Sequence, residues 1–118
     1  MKASQAIWPS FVGEPMVGSM HVVISQFVVA NDMEEEVRQA FRDRPHLVDD
    51  APGFVRMEVV CPVEEPAKFW LMTYWEDAES FQSWHRSHKY QDSHMGIPKG
   101  LKLVPGQNKI FQFNHICS

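Results

Sequence analysis

Histidine is the residue type in this sequence best suited to chemistry near neutral pH, because its side chain can bind a metal ion or exchange a proton. Three of the six histidines, His85, His88 and His94, fall in one short segment. His85 and His88 are three residues apart, so on a helix they would share a face on which a metal ion could bind. Asp92 is the one nearby carboxylate that could complete a ligand set. The spacing therefore favours hydrogen-bonded or solvent-facing histidines, with a metal site as the alternative.

Trp84 lies ten residues before His94. On a continuous helix this separation corresponds to a rise of about 15 Å, so the two side chains could border opposite ends of one broad cavity. A large planar ligand would fit such a separation. The spacing of Phe81, Trp84 and His88 also predicts an apolar stripe packed in the core, and both interpretations of Trp84 stay open.

The same segment has a local excess of positive charge. Residues 85–102 include four basic residues and one acidic residue, whereas the rest of the chain has 7 basic and 14 acidic residues. A positive rim beside an aromatic cavity suits an apolar ligand that has carboxylates. Lysines near the end of a helix and in a solvated loop would produce the same excess, so the charge pattern leaves both interpretations open.

Four strands and two helices must position these residues. Runs of β-branched and aromatic residues between turn signals predict strands over residues 21–29, 54–60, 68–75 and 109–116. A first helix is expected after Asp32, whose side chain can cap it with Glu35 at the capping-box spacing, and Pro45 should end it. A second helix is expected to begin at Glu76 and Asp77.

The order β-α-β-β-α-β predicts an α+β ferredoxin-like sandwich, with two helices on one face of an antiparallel sheet. The domain is expected over residues 20–118, after an irregular arm at residues 1–19. In the second strand Val55, Met57 and Val59 should share one face. The third strand is apolar on both sides and should be central, so we expect a second copy of the chain to cover the other sheet face as a homodimer.

Composition excludes several classes of protein. The chain has 118 residues, which fits one domain, and a net charge of −4, which argues against a nucleic-acid partner. No apolar run approaches the roughly 20 residues that span a membrane. The two cysteines are far apart in the sequence, which favours a reducing, cytoplasmic location over a disulfide scaffold or a zinc site.

Several motifs resemble those of the antibiotic biosynthesis monooxygenase superfamily. They are APGF at residues 51–54, TYWED at 73–77 and the pattern FQSW…S…Y…SH at 81–94, and the resemblance covers about residues 21–116. It implies a dimeric α+β barrel built from two ferredoxin-like protomers.

Within that superfamily, the spacing of Trp84 and His94 is similar to that of the haem-degrading, Isd-type monooxygenases. This resemblance implies that His94 is the axial ligand of haem iron and that Trp84 presses on the macrocycle and ruffles it. It also implies that Lys99 or Lys102 pairs with the propionates.

Those enzymes use an Asn on the first strand, and alignment through Phe41 puts Ser25 at that position. The nearest amide, Gln26, should face the other side of the strand. The resemblance thus gives Ser25 a catalytic role in place of the amide, next to Trp84 and His94.

Three functional hypotheses follow from the resemblance. The first is a monooxygenase that binds haem and degrades it with O₂. The second is a cofactor-independent monooxygenase of a quinol-like or anthrone-like phenol, with His94 or His88 as the base. The third is a dimer that binds a small planar ligand without turnover.

Overall fold

The computed structural model describes residues 20–44, 46–87 and 97–118, so the predicted arm at residues 1–19 lies outside the described part. The elements follow the predicted order. They are β1 (His21–Val28), α1 (Glu34–Arg42), a 3-10 turn (Leu47–Asp50), β2 (Phe54–Val60), β3 (Lys68–Trp75), α2 (Ala78–His85) and β4 (Lys109–Asn114). None of these helices is long and apolar enough to cross a membrane.

The four strands form one sheet in the order β2-β3-β1-β4, and every neighbouring pair is antiparallel. This is the predicted ferredoxin-like arrangement. β3 lies between β2 and β1, which confirms it as an interior strand. β1 and β4 end slightly earlier than predicted, although Val29 still bridges to Leu103 and the His115 N–H still donates to the Met20 carbonyl at 2.8 Å.

The two faces of the sheet can be assigned from β1, because side chains alternate along a strand and directly paired residues point to the same side. His21, Val23, Ser25 and Phe27 point to the side on which both helices pack, and we call this side the helix face. The opposite side, to which the even-numbered β1 residues point, is the open face. Residues of the other strands are assigned to a face by the residues with which they pair.

The helix face holds two separate core clusters. The α2 cluster packs that helix on the first half of β1, and its buried members are Val23, Val48, Trp75, Phe81 and Trp84. The α1 cluster packs the other helix near the end of β1, and its buried members are Val29, Val37 and Phe69. Each helix therefore has its own apolar contact, and the two contacts lie at opposite ends of β1.

Contacts at the start of α2 give a physical reason for the TYWED and APGF motifs. Asp77 is the N-cap residue, and its Oδ1 accepts hydrogen bonds from the Ser80 N–H and hydroxyl, each at 2.8 Å. Gly53, in the APGF turn, has φ +83°, and a side chain there would collide with Ser80. Its carbonyl also accepts from the Glu76 N–H at 2.8 Å. The glycine therefore lets the turn close against the first turn of α2.

Two local predictions are wrong. Asp32 does not cap α1: its φ is +60°, whereas an N-cap residue is extended, and Met33 is the N-cap residue with no side-chain hydrogen bond. Val55 does not share a face with Met57, because the pairing register of β2 shifts between Phe54 and Arg56. Such a bulge turns the extra residue outward, so Val55 is 42% exposed while Phe54 packs edge-on against Trp75.

Candidate functional site

The helix face has a strip that neither core cluster covers. Ser25 of β1 pairs directly with Leu71 of β3 and with Ile110 of β4, so the three side chains form one row across the sheet. None of the three belongs to a buried cluster of the described residues, and Ile110 is 50% exposed. We call these residues the central row. Its position between two packed helices makes it the candidate surface for an apolar ligand.

Trp84 belongs to the cluster that packs on Val23, two residues before Ser25 on β1, and is 9% exposed. Its indole packs in the α2 cluster, as the core-packing interpretation predicts. It also lines an open depression of about 460 Å³ between α2 and the APGF turn, together with Ser80, Ser83 and Ser87. Trp84 is therefore a core residue, and its contact with a ligand stays a prediction.

The helical relation between Trp84 and His94 is not realised. α2 ends at His85, and Arg86 is its C-cap residue, so the continuous helix that was used to relate the two residues is absent. His85 is exposed, and its ring centroid is 5.5 Å from that of Phe81. His94 and His88 lie outside the described residues, so their predicted roles stay predictions.

Lys99 and Lys102 lie beyond the other end of β1. Both are exposed. The Lys102 carbonyl accepts from the Ala30 N–H at 2.8 Å, and Asn31 donates from Nδ2 to the Gly100 carbonyl at 2.8 Å. Ala30 is seven residues beyond Val23, which corresponds to roughly 23 Å along a strand. The lysines and Trp84 therefore lie on opposite sides of the central row along β1, with the α1 cluster between the row and the lysines.

Ser25 and Gln26 point to opposite sides of β1, as predicted. Ser25 is on the helix face, in the central row. Gln26 is on the open face and 7% exposed, and its Oε1 accepts from Trp70 Nε1 at 2.9 Å while its Nε2 donates to the Gln107 carbonyl at 3.1 Å. Because both ends of this amide are occupied within the open face, Gln26 does not replace Ser25 on the helix face.

Two paired residues on the helix face, His21 and Gln112, were not singled out by the sequence. His21 is 8% exposed, and its Nε2 lies 2.8 Å from Oε1 of Gln112 on β4. The imidazole also packs against Phe81, with ring centroids 6.2 Å apart. Because side chains alternate along β1, the sequence predicts that His21 shares the helix face with Ser25. Its contact with Gln112, which is 91 residues away in the chain, can be found only from the pairing of β1 with β4.

Among residues 20–44, 46–87 and 97–118, no three His, Cys, Asp or Glu side chains come together as a metal site. The pKa of Asp77 lies below its usual range, chiefly because its carboxylate accepts the Ser80 backbone and hydroxyl hydrogen bonds, with a smaller electrostatic effect from His21. Asp77 is therefore a structural cap whose charge state is linked to α2.

Residues 20–95 match the sequence model of the antibiotic biosynthesis monooxygenase family. The matched region is more than half of the chain, and the protein belongs to this family. The predicted superfamily is thereby confirmed.

One similar curated protein is the mycobilin-producing haem oxygenase of Mycobacterium tuberculosis. It is 35% identical over 49 residues, which are 42% of this chain and 47% of that protein. The match thus spans about half the length of the relative.

Two solved structures illustrate the range of chemistry on this fold. The haem degrader MhuD from M. tuberculosis, solved with two haems in its active site, superposes with a TM-score of 0.68 at 23% identity, over 83% of this chain and 97% of that one. SnoaB from Streptomyces nogalater, a cofactor-independent oxygenase, gives 0.66 at 14% identity, over 85% and 96%. At such identities the likeness establishes the fold.

Proposed function

We propose that this protein is an oxygenase that binds haem over the central row and degrades it with O₂. The observation that carries the proposal is the central row, which belongs to neither core cluster of the described residues, with Trp84 on one side of it along β1 and Lys99 and Lys102 on the other. A largely apolar surface with cations to one side fits a planar ligand that has carboxylates. The partial match to the mycobilin-producing haem oxygenase supports the same ligand.

The residues would have distinct roles toward this ligand. His94 would bind the iron, and Trp84 would contact the macrocycle. Ser25 presents a hydroxyl from the helix face of β1, and Lys99 and Lys102 pair with the carboxylates. When bound, haem would supply the iron at which O₂ is activated, and the two core clusters would exclude water from the strip between them.

A titration of the purified protein with hemin tests the proposal. We expect a one-to-one complex with a sharp Soret band, which His94→Ala abolishes. His46→Ala is the matched control, because His46 is exposed on the 3-10 turn and bonded to Asp49, and it should bind as the wild type does. A wild-type protein without the band would contradict haem binding. Product analysis of the complex with a reductant and O₂ then separates degradation from binding alone.

A cofactor-independent oxygenase is the second candidate, and Ser25 is the residue that favours it. A hydroxyl stands where the haem-degrading enzymes that the sequence resembles use an amide. In this case His94 or His88 would remove a proton from a quinol-like or anthrone-like phenol, and the electron-rich ring would react with O₂ directly. Uptake of O₂ in the presence of an anthrone and a metal chelator, without haem, would support this candidate. Binding of either ligand without turnover would indicate a carrier.

We further propose that the protein is a homodimer that closes its open face against a second copy. On β4, Phe111 and Phe113 point to this face opposite Ile24 and Val22, and they are 39% and 47% exposed. Val60 on β2 is 42% exposed on the same face. An apolar sheet face of this extent is normally covered, and a two-fold symmetric pair of sheets would cover both copies at once.

A further inference from the structure

Gln112 is placed where its side chain can reach the central row. In the β1–β4 pairing, Gln112 lies opposite Val23 and Ile110 lies opposite Ser25. Gln112 is therefore on the helix face and diagonal to Ser25, and diagonal neighbours of this kind are about 7–8 Å apart. Its side chain is exposed, so the amide is accessible to a ligand over the row.

His21 holds this amide in one orientation. Most side-chain hydrogen bonds in proteins go to backbone or water, whereas His21 directs Nε2 to the exposed Gln112 side chain at 2.8 Å. The imidazole ring also packs against Phe81. With Oε1 accepting from the His21 N–H, the amide nitrogen of Gln112 is left with its N–H groups to donate. An exposed glutamine would otherwise sample many rotamers, and ordering it has an entropic cost.

We propose that Gln112 is a ligand-binding residue, whose amide N–H donates a hydrogen bond to an oxygen atom of the ligand, and that His21 is the positioning residue that orients this amide. The inference rests on the proposed function in that it uses the same surface. It specifies a planar ligand with a carboxylate, carbonyl or phenolic oxygen near the β4 side of the central row.

Hemin binding by Gln112 variants tests the first half of the inference. Gln112→Leu removes the amide at similar volume, and we expect the Kd for hemin to rise about three- to ten-fold, the equivalent of one hydrogen bond. Asn114→Leu is the matched control, because Asn114 is an exposed amide on the same strand and face, further from Ser25, and its Kd should equal that of the wild type. Equal affinities of Gln112→Leu and wild type would overturn the inference.

A double-mutant cycle tests the positioning role of His21. His21→Phe keeps a ring against Phe81 but loses the N–H, so it should also raise the Kd for hemin. If His21 acts through Gln112, this effect should disappear in the Gln112→Leu background. An effect of equal size in both backgrounds would show a general structural role and would overturn the positioning claim. Thermal unfolding of each variant identifies those that do not fold.

The titrations also distinguish a failure of this inference from a failure of the haem proposal. If the wild type binds no hemin, the haem proposal fails, and the same variants are titrated with 1,8-dihydroxyanthrone, a planar phenol with suitable oxygens. A selective loss of affinity in Gln112→Leu would then support the inference without haem. Equal binding by all variants, or no binding of either probe by the wild type, would overturn it.

Discussion

At the scale of single residues, Trp84 is both a buried core residue and a proposed ligand contact. Its indole is a packed member of the α2 cluster, at 9% exposure. A role on the ligand would therefore use one edge of a side chain whose main part stabilises the fold. Ser25 is different: it belongs to neither cluster and lies in the central row, so its substitution should affect ligand binding more than folding.

Replacing Trp84 by Phe should reduce the stability of the protein. The smaller ring leaves part of the α2 cluster unfilled, and we expect the free energy of unfolding to fall by about 1–3 kcal/mol. Denaturant unfolding of the apo protein measures this change. Tyr74→Phe is a suitable control, since it removes only a hydroxyl that contacts Glu58 at 3.3 Å on the open face. A stability equal to that of the wild type would contradict the place of Trp84 in the core. If the tryptophan also contacts haem, the variant should in addition give a different distribution of haem-degradation products.

At the scale of elements, α2 depends on a local cap and on the turn that closes against it. Asp77 accepts two hydrogen bonds from Ser80, and Gly53 permits the close approach of the APGF turn. Both features are encoded within a few residues of the helix start. The end of α2, by contrast, lies at His85, three residues before His88, the last residue of the predicted apolar stripe.

The cap should make the stability of α2 depend on pH. Because the pKa of Asp77 is lowered in the folded state, its contribution is fully present above the unfolded aspartate pKa of about 3.9 and is lost as the pH falls through the folded value. Asn is also a good cap but has no charge. The stability advantage of wild type over Asp77→Asn should therefore stay constant from about pH 7 to about pH 5 and shrink as the pH falls below about 4. An advantage that does not change with pH in chemical denaturation would refute this account.

At the scale of the whole molecule, the sheet separates two surfaces for which we propose different roles. The helix face holds both cores and the proposed ligand surface. The open face has exposed Phe111 and Phe113 at its β4 side, and its interior contains the Gln26–Trp70 hydrogen bond. Under the two proposals, ligand binding and self-association would take place on opposite sides of one sheet.

Charge on the open face should dissociate the proposed dimer. We expect Phe113→Lys to shift the molecular mass in solution from two chains to one, because the proposed symmetric interface would bury one unpaired charge from each copy. Light scattering after size-exclusion chromatography measures the mass. Val63→Lys is the control, since Val63 is 96% exposed in the β2–β3 connection and its variant should keep the wild-type mass. A wild-type protein that is a monomer at micromolar concentration would contradict the proposed dimer.

The sequence by itself determined the features that depend on neighbouring residues: the order of the elements, the interior position of β3, the start of α2 near Asp77 and the opposite orientations of Ser25 and Gln26. Alternation along a strand is local, so it can be predicted from spacing. The bulge at Val55 and the positive φ of Asp32 were not predicted, because a register shift and a left-handed turn leave no periodic signal. Only the tertiary structure decided which residues form the site. The pairing of His21 with Gln112, the central row and the position of the lysines beyond β1 all join segments distant in the chain, and such contacts are set by strand register and packing.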